Sequence, residues 1–85
     1  MSYHIAIANS AKRDMRRLES SLQQRIAIRL QVLRNNPRPS GVKKLRDREN
    51  QWRIRVGDYR IIYEIDEDEH LVIILRIKHR REAYR

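Results

Sequence analysis

Three arginines, Arg53, Arg55 and Arg60, flank the dipeptide Gly57-Asp58 in the segment from Trp52 to Tyr63. Gly57-Asp58 suits a two-residue hairpin loop with glycine at its first position. With that loop, Val56 faces Tyr59, Arg55 faces Arg60, Ile54 faces Ile61, Arg53 faces Ile62 and Trp52 faces Tyr63. Strand side chains alternate between the two faces of a sheet. Trp52, Ile54, Val56, Tyr59, Ile61 and Tyr63 therefore share one face, which is the predicted core. Arg53, Arg55 and Arg60 share the other. Like charges directly opposite one another destabilise a strand pair, and conflicts of this kind are expected at functional sites. Guanidinium groups bind phosphate through paired hydrogen bonds, so three that converge on one sheet face make a phosphate clamp. A solvated face of long charged side chains is the competing reading, favoured for one arginine and disfavoured for three.

A second group of candidates follows the last predicted strand, in Lys78-His79-Arg80-Arg81-Glu82-Ala83-Tyr84-Arg85. If that strand pairs antiparallel with Tyr59 to Asp66, its end lies beside the Arg60 end of the hairpin. Arg80 and Tyr84 then approach the same face. His79 is a candidate proton donor or acceptor near neutral pH, with an ordinary sheet-end histidine as the equal alternative.

The elements that must position these residues follow from patterning. Tyr3, Ile5 and Ile7 alternate as a short first strand. Asn9-Ser10 offers a helix N-cap, and Ala11, Met15 and Leu18 follow at helical spacing. Ser20 with Gln23 fits a capping box for a second helix, whose apolar stripe is Leu22, Ile26, Leu30 and Leu33. Pro37 closes it. Asn35-Asn36-Pro37-Arg38-Pro39-Ser40-Gly41 divides this helical half from a strand-rich half. There, Val42 to Leu45, Gln51 to Val56, Tyr59 to Asp66 and Leu71 to Lys78 read as strands. The predicted fold is α+β, in the order β-α-α-β-β-β-β with a short C-terminal tail. Two antiparallel helices pack on one face of a twisted, mainly antiparallel sheet. The acidic stretch Asp66 to Glu69 makes the last turn with four or two residues, or with three and the opposite faces. The environment of Arg76 depends on that choice.

Composition narrows the function classes. The 85 residues make one small domain, 1–85. About a quarter of them are Ile, Leu or Val, above the roughly 20% below which chains of high net charge stay disordered. Cysteine is absent, which removes a disulfide framework, a disulfide-linked partner and a thiolate metal site. His4, His70 and His79 are too scattered for a zinc cluster, so no metal or cofactor is expected. The longest apolar run, Leu71 to Leu75, is far short of a membrane span, and the start of the chain lacks a signal-peptide pattern. A cytoplasmic protein without membrane contact is the expectation. Twenty Lys+Arg against eleven Asp+Glu give a formal net charge of +9, which points to a polyanionic partner. Sixteen of the cations are arginine.

The strings Lys43-Lys44-Leu45, Trp52-Arg53-Ile54-Arg55-Val56-Gly57-Asp58-Tyr59-Arg60-Ile61-Ile62-Tyr63-Glu64-Ile65 and Arg76-Ile77-Lys78-His79-Arg80-Arg81-Glu82-Ala83-Tyr84 resemble the RelE/ParE superfamily of toxins from toxin–antitoxin pairs, and its RelE-like branch most closely. With the helices and Asn35-Asn36-Pro37, the resemblance covers nearly the whole chain. It implies a ribosome-dependent, metal-independent endonuclease that cleaves mRNA in the ribosomal A site, the RNA 2′-hydroxyl attacking the adjacent phosphate. On this resemblance Arg60 and Arg80 match transition-state arginines, Arg53 and Arg55 match two catalytic basic positions, and Tyr84 matches a C-terminal tyrosine. The two strand positions are often lysine in the family. Arginine stays protonated, so the general acid or base falls to Tyr84 first and His79 second. Lys43, Lys44, Arg46 and Arg81 are the expected RNA- and phosphate-binding residues. The implied partners are the ribosome, mRNA and a cognate antitoxin that lays an acidic or amphipathic segment over the basic surface. A ParE-like inhibitor of DNA gyrase and a non-catalytic RNA-binding module are the alternatives.

Overall fold

Alternating apolar residues in the second half of the chain build the sheet, and two helical stripes from the first half cover it. The computed structural model describes residues 2–46 and 50–83, with 82 and 83 as backbone only. The elements are β1 (His4–Ile7), α1 (Asn9–Arg16), α2 (Ser20–Asn35), β2 (Lys43–Lys44), β3 (Gln51–Val56), β4 (Tyr59–Asp66), β5 (Leu71–His79) and the single turn α3 (Arg80–Ala83). The strand order is β1-β5-β4-β3-β2. β1 runs parallel to β5, and the other three pairs are antiparallel. The α+β architecture expected from the sequence is present, with β2 shorter than the predicted Val42 to Leu45.

Ala11 from α1, Ile26, Leu30 and Leu33 from α2, and Ile54, Val56, Ile61, Tyr63, Ile65, Val72, Ile74 and Ile77 from the sheet form one buried cluster. The helices therefore lie on the face that carries the apolar side of the hairpin. Tyr63 is fully buried and donates its hydroxyl to the Pro37 carbonyl at 2.6 Å, tying the sheet to the segment that ends α2. Burial pushes the Tyr63 phenol well above its ordinary pKa. At the far end of the sheet, Tyr3 donates to Glu67 at 2.7 Å and Arg38 pairs with Glu67 at 2.7 Å. Arg38 also lies over the Trp52 ring, 4.9 Å from its centroid.

The predicted β3–β4 register holds, from Gln51 opposite Glu64 to Val56 opposite Tyr59. Gly57 sits at φ +58, and a Cβ there would meet Arg25 Nη2 at 3.2 Å. Left-handed backbone costs a non-glycine residue roughly 1–2 kcal/mol. Gly57→Ala is therefore expected to lower stability by about that much, read as a fall of several degrees in a thermal melt.

The last turn holds four residues, because Asp66 pairs with Leu71. β5 then carries a bulge. Ile62 faces Arg76 while Tyr63 faces Ile74, which leaves Leu75 without a partner on β4. A bulge shifts the alternation of side chains by one. Val72 and Ile74 point into the core before it, and Ile77 does so after it. Arg76 and Lys78 are thereby turned away from the core face.

The predicted caps take other work. α1 begins at Asn9 with Ala8 as its N-cap residue, and no side chain caps it. The Ser10 hydroxyl instead donates to the Leu75 carbonyl at 2.7 Å, satisfying the bulged residue. α2 has Glu19 as its N-cap residue, again without a side-chain cap. Gln23, expected to close a capping box, donates through Nε2 to the Met15 carbonyl at 2.7 Å, and so serves the end of α1. In both cases a tertiary hydrogen bond has displaced the local one.

Candidate functional site

The cation face of the hairpin is built by ladder pairing. Arg55 is the direct partner of Arg60, and Arg60 is the direct partner of Lys78. Two residue pairs along, and so on the same face, Lys43 is opposite Arg53 and Arg53 is opposite Ile62. Side chains directly opposite stand on the same face. Arg53, Arg55, Arg60, Lys43 and Lys78 therefore emerge together, on the side of the sheet away from the helices.

Lys43, Arg53, Arg55 and Arg60 line a cavity of about 140 Å³, with Gly41 completing its wall. That is smaller than the roughly 300–1,000 Å³ of sites that enclose a whole small molecule. It suits one charged group of an extended ligand. Arg60 is the most deeply set, with 7% of its surface exposed. Among the described residues, none that lines the cavity is acidic. Bringing like charges together at low dielectric is costly, and an anion in the cavity offsets that cost. A phosphate also matches the planar donor geometry of guanidinium groups.

The other expected site residues divide. Arg80 opens α3, and its backbone N–H donates to the Asp58 carbonyl at 2.7 Å. This fixes the start of α3 at the hairpin turn. Arg80 and Arg81 border an open hollow with Asp58 and His79, separate from the arginine cavity. His79 is the ladder partner of Tyr59, so it stands on the helix face. Its ring meets the Tyr59 ring edge-on, with centroids 5.2 Å apart, and its Nδ1 accepts the Arg81 N–H at 3.2 Å. It is not brought to the arginine cavity. Lys44 lies over the Trp52 ring at 5.7 Å, on the face opposite Lys43. Arg46 is exposed just beyond β2. Tyr84 lies outside the described residues.

Lys78 and Gly41 belong to this region and escaped the sequence reading. Lys78 reaches the cation face only because of the Leu75 bulge, for which the sequence carries no glycine or other marker. Gly41 has φ +90 and was legible only as part of a turn-rich break. No group of three or more His, Cys, Asp or Glu placed to hold a metal occurs among the described residues. Among them, too, no helix is long and apolar enough to cross a membrane.

Comparison with known proteins agrees with this architecture. The family model for the ParE toxin of type II toxin–antitoxin systems, parDE, matches residues 5–84. The toxin RelE of Mycobacterium tuberculosis is 37% identical over 84 residues, spanning 98% of this chain and 87% of that protein. The structure is similar to the toxin–antitoxin complex RelBE2 of M. tuberculosis, with a TM-score of 0.81 and 29% identity over 93% of this chain and 99% of the other. It is also similar to the archaeal RelE-RelB complex of Pyrococcus horikoshii, with a TM-score of 0.83 and 27% identity over 94% and 97% of the two chains. A basic, phosphate-sized cavity on the open face of a RelE-like sheet thus sits in a chain that belongs to the RelE/ParE superfamily, as a RelE-like toxin of a type II toxin–antitoxin system.

Proposed function

We propose that this toxin is a ribosome-dependent, metal-independent mRNA endonuclease acting in the cytoplasm. The observation that carries the reading is the convergence of Arg53, Arg55 and Arg60 with Lys43 on one small cavity, with no acid in its lining among the described residues. Attack of an RNA 2′-oxygen on the neighbouring phosphorus places extra negative charge on the phosphoryl oxygens in the transition state. Fixed donors aimed at that charge lower the barrier most. The guanidinium groups supply positive charge of the kind that a metal ion brings in other phosphoryl-transfer sites. Arg60, held in the central strands, is preorganised. Arg80 approaches from α3 beyond the hairpin turn and contacts the substrate from that side.

A cognate antitoxin is the second partner. The groove formed where β1, α1, α2 and β5 meet has a volume of about 360 Å³ and an apolar lining that includes Ile7, Met15, Ile74 and Ile77. Lys12 and Arg16 stand beside them. An acidic amphipathic segment fits this combination. Its binding also stabilises the toxin by mass action.

The test is to mix the purified toxin with ribosomes carrying a short labelled mRNA and to map new ends. New ends in the A-site codon, insensitive to chelator and absent with naked RNA, are the expected result. A folded toxin that leaves the mRNA whole overturns the reading. Gyrase inhibition by that protein would then point to the ParE-like activity, and ribosome binding without cleavage to an RNA-binding module.

A further inference from the structure

The arginine cavity has a chemical gap. Guanidinium groups hold phosphate but do not give up a proton near neutral pH. Cleavage of an RNA linkage by its 2′-hydroxyl makes one bond, O2′–P, and breaks another, P–O5′. The departing 5′-oxygen needs a proton. Two ammonium groups with a proton to transfer stand on this face, Lys43 and Lys78, and among the described residues Lys43 is the one that lines the cavity.

We infer that Lys43 is the general acid of the proposed endonuclease and delivers its Nζ proton to the leaving 5′-oxygen. The inference rests on the endonuclease reading given above. Its geometry comes from β2. Lys43 is the ladder partner of Arg53, and Lys44 is that of Trp52. The Lys44 ammonium over the Trp52 ring fixes the side of the sheet on which Lys44 lies. Alternation then sends Lys43 to the opposite side, into the cavity wall. The Leu45 N–H donates to the Gln51 carbonyl at 2.9 Å and the Val42 N–H to the Pro39 carbonyl at 3.2 Å, so the backbone on both sides of this two-residue strand is held. His79, on the helix face, cannot take the same role without leaving Tyr59.

In the step itself, the 2′-oxygen attacks phosphorus as its proton passes to water. The P–O5′ bond breaks, and the Lys43 proton moves to O5′. The products are a cyclic 2′,3′-phosphate and a 5′-hydroxyl. Lys43, left as an amine, regains a proton from water. Arg53, Arg55 and Arg60 hold the phosphoryl oxygens throughout. Lys43 thus acts at the leaving atom, and the arginines act at the charge.

The experiment compares Lys43→Arg and Lys43→Met with wild type in single-turnover cleavage of ribosome-bound mRNA. One substrate has the natural linkage, and the other has sulfur in place of the bridging 5′-oxygen. A thiolate leaves without being protonated. Lys43→Arg keeps the positive charge and removes the transferable proton. On the natural linkage both variants are expected to slow by about 10²-fold or more. On the sulfur linkage Lys43→Arg is expected to return to within a few-fold of wild type. Lys43 is exposed, so the fold tolerates either change, and co-sedimentation with ribosomes together with a thermal melt confirms it. Natural-linkage cleavage by Lys43→Arg at the wild-type rate overturns the inference. So does a deficit of equal size on both linkages, which marks a role in charge alone. Wild-type toxin that cleaves neither substrate overturns the endonuclease reading itself, and the two failures are thereby told apart.

Discussion

Arg60→Met is expected to lower cleavage of ribosome-bound mRNA by about 10²–10³-fold, the usual effect of removing one preorganised donor from a transition-state site. Arg60 is 7% exposed, in the middle of a ladder row that places Arg55 on one side and Lys78 on the other. Like charges directly opposite are destabilising, and such conflicts are expected at functional sites. Single-turnover cleavage and a melt of the same preparation check it. Retained cleavage with a collapsed melt would assign Arg60 to the fold instead.

Asp14→Ala is expected to cost about 2–4 kcal/mol, a range set by leaving a buried N–H and an opposed charge without their acceptor. For a domain of this size that is a fall of roughly 10–20 °C in thermal midpoint. The reason lies at the edge of the sheet. β1 ends at Ile7, while β5 runs on to His79. Beyond Ile74, side chains of α1 stand in for the missing strand. Asp14 Oδ2 accepts the Ile77 N–H at 2.8 Å and Arg76 Nε at 2.8 Å, and Oδ1 accepts Arg76 Nη2 at 3.1 Å. The Asp14 side chain is 10% exposed and that of Arg76 is 42% exposed, so solvent screens part of the charge attraction. Burial alone would raise the carboxyl pKa. The hydrogen bonds from Arg76 and Ile77, with the charges of Arg76 and Arg17, outweigh it and hold the group below its ordinary value. A carboxyl lowered in the folded state contributes stability that is complete above its unfolded value, near pH 4, and is lost as pH falls through the folded value. The deficit of Asp14→Ala relative to wild type is therefore expected to be full at neutral pH and to shrink on acidification below about pH 4. Urea unfolding across that range measures it. A difference that stays constant with pH would remove the ion pair from the account.

The hairpin was legible because its signals agree. Strict alternation from Trp52 to Tyr63, a glycine at the one turn position that needs positive φ, and apolar residues confined to one face leave a single register. That register alone set Arg53, Arg55 and Arg60 side by side, and the cavity followed from it. The helices were legible through the stripe from Leu22 to Leu33. The caps were not, because Ser10 and Gln23 satisfy local cap patterns as well as the distant carbonyls they serve. The face of His79 was not legible either. It depends on the Leu75 bulge, which inverts the alternation in the middle of an unbroken apolar run. The same bulge hid Lys78 as the neighbour of Arg60.

The parallel pairing of β1 with β5 joins the two ends of the described chain, His4 beside Leu71 and Ile7 beside Ile74. Contacts between residues so far apart in sequence form late. During synthesis, β1 emerges early and has no strand to join until Leu71 to His79 has also left the exit tunnel. Until then β4, which carries Arg60, has an open edge, and α1 lacks the strand it packs against. The two ends of the described chain are therefore expected to close the sheet last, and the core to be completed only after most of the chain has been translated.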